Sequence, residues 1–238
     1  MKRILAILLV AGMAISFSAC NNDEPNTPES GGNASAENSS VVSTEKKEDK
    51  PSNTFSAENV KKAKETEASL FEYVDVDGGI SITRFNGEDE IVVIPSAIDG
   101  KNVVTVGENA FVNNSTMKGV KVPDTVHTLE TSSFMNCTAL EVFVSGASVK
   151  KLEMYTFNGC KKLHDIQLND GLETLDGLCF ALTNLTEIEI PSSVTEINYP
   201  FTVNYDDHYI TVIAESGSAA EQYVNEKGEE YHLIFQAK

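Results

Sequence analysis

Asp75, Asp77 and Gly78 follow one another in the order in which a calcium loop opens, with carboxylates at alternate positions ready to hold a hard cation. A twelve-residue loop from Asp75 would close on Asn86, where a bidentate Glu is required. The run "DVDGG" therefore reads as a hairpin turn. His127, His164, His208 and His232 have no metal-type spacing among them. Ser192 and Ser193 follow Pro191 at a turn, with no His–Asp arrangement in the sequence to activate them. No glycine pattern matches a phosphate-binding loop. The chain thus offers no catalytic set, no metal site and no cofactor motif, and it reads as a non-enzyme.

Cysteine chemistry is the exception. The chain opens "MKRILAILLVAGMAISFSAC", with Lys2 and Arg3 ahead of an apolar run from Ile4 to Ile15 and small residues before Cys20. The run is too short to span a bilayer and reads as a signal peptide over residues 1–19. "FSAC" resembles a bacterial lipobox, although Phe17 stands where Leu is usual. On that reading Cys20 is the lipidated N-terminus. The same run also fits ordinary cleavage near Ala19 and release of the rest. Each buried methylene of an acyl chain contributes roughly 0.8 kcal/mol to membrane binding. A lipid on Cys20 would be the chain's only link to a membrane. Cys137, Cys160 and Cys179 form an odd set, placed by sequence repeat and not by a disulfide pattern. They read as small interior residues at a bend, with a Cys137–Cys160 bond as the alternative in an oxidising compartment.

The elements that would position such residues follow from repetition. Phe111, Phe134, Phe157 and Phe180 recur every 23 residues, and Phe201 follows. Met117, Leu140, Leu163 and Leu185 keep step with them. So do Val120, Phe143, Ile166 and Ile188, then Val126, Val149, Leu172 and Val194, and finally Leu129, Leu152, Leu175 and Ile197. A period in the low twenties marks a solenoid with a short strand in each coil. The triplets "VKV", "FVS", "IQL" and "IEI" alternate inside and outside, the period of a strand, so stacked coils pair them into one parallel sheet. The Phe fills the opposite side of the coil.

Both ends of such a stack need covering. "FEYVDVDGGISITRF" reads as two strands joined at Asp77-Gly78-Gly79, an N-terminal hairpin cap. "ITVIAE", a helix over "SAAEQYVNEKG" and the strand "YHLIF" form a C-terminal strand–helix cap. Ser218 and Glu221 supply a capping box and Gly228 the helix stop. Composition sets the remaining boundaries. Residues 20–69 are rich in Ser, Asn, Glu and Lys and read as a flexible tether, with a weak helix over Ala57 to Ala68. Residues 70–238 form the folded head. From Glu67 onward there are 27 acidic against 10 basic residues, so nearly all of the chain's net charge of −18 lies in the head. Nucleic acid is a poor partner for such a surface, whereas basic partners are attracted to it.

"VTVGENAF", "FNGCKKLHDIQL", "LTEIEIPSSVTEI" and "ESGSAAEQYVNEKG" resemble the BspA-type leucine-rich repeat family of bacterial surface proteins. The resemblance covers about Phe71 to Lys238. Thr125, Ser148, Gly171 and Ser193 occupy the slot where common leucine-rich repeats carry Asn or Cys, which supports this type over those. The resemblance implies a β-rich leucine-rich-repeat solenoid, a right-handed superhelix with a parallel sheet on one face. It also implies display on a bacterial cell surface and a protein partner for adhesion or host binding; with a lipid on Cys20, as the lipobox reading has it, the anchor would lie in an outer or single membrane. An envelope or glycan-uptake accessory without an adhesive role is the alternative. Asp124-Thr125-Val126 resembles a short O-glycosylation signal, and equally a plain turn.

Alternation also nominates a binding face. Outward positions stack into two ladders, one of Gly119, Val142, Asp165 and Glu187, the other of Lys121, Val144, Gln167 and Glu189. Val142 and Val144 flank inward Phe143 and are expected to form an exposed apolar spot beside carboxylates. The candidate site is Lys121, Val142, Val144, Asp165, Gln167, Glu187 and Glu189. The coil edges around Lys150, Lys151, Lys161 and Lys162 come next.

Overall fold

A computed structural model describes residues 55–202 and 208–238. The segment expected to be a signal peptide, and Cys20 after it, lie outside the described residues. Helix α1 (Ala57–Lys62) comes first, with Ser56 as N-cap, followed by a 3-10 turn over Ala68–Leu70. Strands β1 (Phe71–Val76) and β2 (Gly79–Phe85) pair antiparallel across the expected turn, where Gly78 takes φ +84°. Next come β3 (Ile91–Val93), β4 (Ala97–Ile98) and β5 (Lys101–Val106).

Each following coil carries two short strands. They are β6 (Gly119–Lys121) with β7 (Thr128–Leu129), β8 (Val142–Val144) with β9 (Lys151–Leu152), β10 (Asp165–Gln167) with β11 (Thr174–Leu175), and β12 (Glu187–Glu189) with β13 (Glu196–Ile197). Strand β14 (Ile210–Ala214), helix α2 (Ala219–Tyr231) and strand β15 (Leu233–Ala237) close the chain.

The solenoid has more than the one sheet expected. The three-residue strands stack in parallel as β3-β6-β8-β10, and β12-β14-β15 form a further parallel group. The two-residue strands β7, β9, β11 and β13 stack in parallel, in that order, on the six-residue β5, with β2 and β1 beyond β5. Leu129, Leu152 and Leu175 are fully buried on that side. A two-residue strand is too short to show alternation, so its sequence signal is only a single registered apolar residue.

The phenylalanines stack as the period requires. Ring centroids lie 4.7 Å apart for Phe111–Phe134, 5.6 Å for Phe134–Phe157 and 6.2 Å for Phe157–Phe180, with planes within 17° of parallel. The turn that holds each ring is tight. Residues two before and two after the Phe take positive φ: Asn109 and Asn113, Ser132 and Asn136, Tyr155 and Gly159, Leu178 and Leu182. That geometry aims backbone groups along the stack. The amides of Phe111, Phe134, Phe157 and Phe180 donate to carbonyls one coil on, at Ser133, Thr156, Cys179 and Pro200.

At the C-terminal end Ser218 caps α2, its hydroxyl accepting from the amide of Glu221 at 3.3 Å, while Glu221 reaches back to the amide of Gly217. Gly228 does not end the helix. It is buried inside α2, where a Cβ would sit 2.9 Å from the Leu233 carbonyl oxygen, and His232 takes the left-handed position instead. Close packing of helix on strand, not termination, explains that glycine.

Candidate protein interface

Strand register builds the outer face in two rows. Ile91, Gly119, Val142 and Asp165 align across β3, β6, β8 and β10, and so do Val93, Lys121, Val144 and Gln167. The predicted rows are therefore assembled as far as Asp165 and Gln167. In β12, Glu187 and Glu189 flank buried Ile188 and are exposed.

The exposure expected for Val142 and Val144 is corrected. Val142 is fully buried and Val144 is 5% exposed. Alternation does turn both away from the Phe core, but α1 lies over them. Ala57 and Val60 bury against the two valines, with Phe55 and Ile91 packed at the margin. Gly119 makes the notch for this contact, since a Cβ there would come 2.5 Å from Val60 Cγ2. The ammonium of Lys118 stands 5.2 Å from the Phe55 ring centre, a cation–π contact. Further along, the amide of Thr66 donates to the Val93 carbonyl at 2.9 Å, and the Val93 amide donates to the Thr66 hydroxyl at 3.1 Å. Residues 55–69, read by composition as tether, thus include a strap that crosses the sheet.

Beyond the strap the face is open and acidic. A groove of about 640 Å³ is bounded by Phe55 and Ser56 on one side and lined by Asp165, Gln167, Asp170, Glu187 and Glu189. Lys238 pairs with Glu189. Lys121 is half-buried near Glu65 and Thr125, in a separate smaller hollow. The other lysine cluster is divided. Lys150 pairs with Glu173 at 2.9 Å and Lys151 with Asp176 at 3.1 Å, whereas Lys161 and Lys162 are exposed.

The cysteines are buried free thiols. Cys137 donates to the Phe111 carbonyl and Cys160 to that of Phe134, each at 3.1 Å, so these thiols satisfy carbonyls of the preceding coil. The neighbouring Cys160 thiol and burial push the Cys137 pKa well up, and burial does the same for Cys179. Thiols held protonated in this way are poor nucleophiles. The slot that lacks the common Asn is served partly by its own Ser193 and partly by Asn169, two residues before Gly171. The Asn169 amide donates to the carbonyls of Ala147 and Val149, both at 3.0 Å, and Ser193 donates to the Leu172 carbonyl at 2.6 Å. Among the described residues, no group of three or more His, Cys, Asp or Glu is arranged to hold a metal ion.

A stack of short parallel strands with an open face defines a repeat solenoid, the class of scaffold that presents an extended surface to protein partners. Residues 90–204 match the BspA type Leucine rich repeat region in six copies, and this repeat region belongs to that family. Among solved structures, the chain resembles a leucine-rich repeat protein of T. pallidum, at 29% identity and a TM-score of 0.58, over 63% of this chain and 71% of that one. A leucine-rich repeat protein of Bacteroides ovatus matches at 22% identity and a TM-score of 0.49, over 61% of this chain and 48% of that one. One from Bacteroides capillosus matches at 20% identity and a TM-score of 0.43, over 63% and 98%. No curated protein is significantly similar to the chain.

Proposed function

We propose that the protein is an exported, lipid-anchored bacterial surface protein whose solenoid head binds a protein partner, in adhesion or host-protein binding. The observation that carries the reading is the open, acidic part of the outer sheet face. Asp165, Glu187 and Glu189 project there beside a groove large enough to take side chains. Only Glu189 of the three has a cation paired with it among the described residues. Like charges held on neighbouring strands disfavour one another, and a basic partner relieves that cost while being steered in. Gln167 supplies a neutral donor and acceptor in the groove lining. A lipid on Cys20 would keep the head at the membrane surface.

The test is charge reversal on the full chain. Immobilised wild type and Glu187→Lys/Glu189→Lys are exposed to purified basic and acidic host matrix proteins and to envelope extract. Binding of a basic matrix protein should weaken with salt and vanish in the double variant. A bound partner indifferent to both changes would refute this face. Mass spectrometry of the mature N-terminus should show acylated Cys20, and an unmodified start at Asn21 or later would exclude the anchor.

A further inference from the structure

The outer sheet is interrupted at one place. From β3 to β10, each junction between coils repeats two flanking backbone bonds. The amide that opens a strand donates to the residue just ahead of the preceding strand: Gly119 to Glu90, Val142 to Lys118 and Asp165 to Glu141. The amide just past a strand donates to the last residue of the next: Ile94 to Lys121, Val122 to Val144 and Ser145 to Gln167. One coil further on, the same bonds would run from Glu187 to His164 and from Leu168 to Glu189. Neither is present among the described residues, and β10 and β12 are not paired. Pairing resumes beyond β12, where the Thr211 amide donates to Thr186 and the Ile190 amide to Ile213.

The same two coils stay joined elsewhere. Strand β11 pairs with β13, and the Asn184 amide donates to the Leu163 carbonyl just ahead of the gap. What sets the open junction apart is charge. Each paired junction on this face holds at most one charged residue in a row: Lys121 lies between Val93 and Val144, Asp165 beside Val142, and Glu187 beside Thr211. Asp165 precedes buried Ile166 just as Glu187 precedes buried Ile188, so the two carboxylates occupy one position in successive coils. Like charges directly opposite on neighbouring strands oppose their pairing. Glu189, in the other row, faces neutral Gln167 and is paired with Lys238.

We propose that repulsion between Asp165 and Glu187 holds the outer sheet open, and that neutralising either charge lets β12 pair with β10. The acidic groove lies over this seam and is lined by both strands, so closing the seam reshapes its floor. A basic partner that neutralises the pair closes the sheet beneath itself. That consequence rests on the reading of the groove given above, whereas the charge-held seam does not. The rival cause is length, since the chain is one residue short between Phe180 and Leu185, just ahead of β12. A length restraint is untouched by a change from carboxylate to amide, which separates the two.

The test is amide hydrogen exchange on the full chain with no partner added, so its failure is separate from a failure of the binding reading. In wild type the amides at positions 168 and 187 should exchange freely, while those of Ser145 and Ile190, bonded at the neighbouring junctions, stay protected. Asp165→Asn and Glu187→Gln, which keep the side-chain shapes, should each raise protection at 168 and 187 at least about fivefold. The double variant should add little to either, because one change already breaks the pair. In wild type, 1 M salt, which screens exposed charges beyond about 3 Å, should protect the same two amides, and it should leave the double variant unchanged. Three results would overturn the proposal. One is wild-type amides at 168 and 187 as protected as that of Ser145, which would mean a closed seam. Another is neutral variants as open as wild type, which would leave the short turn as the cause. The third is two single changes whose effects add, which would mean that they do not act as a pair.

Discussion

Replacing Phe157 with alanine should remove about 3–5 kcal/mol from the stability of the head, the usual cost of truncating a buried aromatic ring. The ring is fully buried and touches three others. It stacks between Phe134 and Phe180 at 5.6 and 6.2 Å and meets Phe143 edge-on at 4.6 Å. Aromatic pairs are each worth about 0.5–1.5 kcal/mol beyond area, which puts the expected loss in the upper part of that range. Neighbouring coils resist collapse into the space, because each ring is tied at its backbone. The Phe157 amide donates to Cys179 and the Cys160 amide to Phe157. Urea unfolding followed by far-UV circular dichroism measures the effect. With a slope of about 2 kcal/mol per molar urea, the midpoint should fall by about 2 M. A midpoint equal to that of wild type would refute the argument that the stack carries the fold. A split transition, with one part unmoved, would show that the coils on the two sides of residue 157 unfold separately, as stacked repeats can.

Leu182→Asn should stabilise the head by about 1 kcal/mol, since Leu182 is held at φ +56° on the surface, a conformation that costs an ordinary side chain roughly 1–2 kcal/mol and suits Asn; a lowered urea midpoint would contradict it. Ser133→Ala should be neutral or stabilising by up to about 1 kcal/mol, because the buried Ser133 hydroxyl has no hydrogen-bond partner among the described residues and Ala110 fills the same position one coil earlier. Calorimetry of the two proteins decides it. Stability should fall as pH rises above about 8.5, where unfolded thiols ionise and the buried Cys179 thiol, its pKa raised, still binds its proton. Cys179→Ala should flatten that fall, and equal pH profiles would remove Cys179 as its cause. Native Cys137 and Cys160 should resist iodoacetamide and react once the chain is unfolded in urea.

The stacked phenylalanines, the three-residue strands and the inward direction of Val120, Phe143, Ile166 and Ile188 were all legible in the sequence. Each coil solves the same packing problem, so the solution is written once per period and the copies check one another. The hairpin turn at Gly78 was legible for a similar local reason, since a left-handed backbone position selects glycine. The two-residue strands were not, because their signal is a single leucine per coil. Nor was the fate of Val142 and Val144. Alternation says which way a side chain points from its own strand, and it pointed them out correctly; it says nothing of what another segment lays on top. Phe55, Ala57 and Val60 are too few and too scattered among Ser, Asn, Glu and Lys to announce a packed helix. Their burial depends on the notch at Gly119 and the valines of β8, which lie roughly sixty to ninety residues further along the chain. Local composition sets what the strap could do alone, which is little. Only the folded sheet offers the surface that holds it.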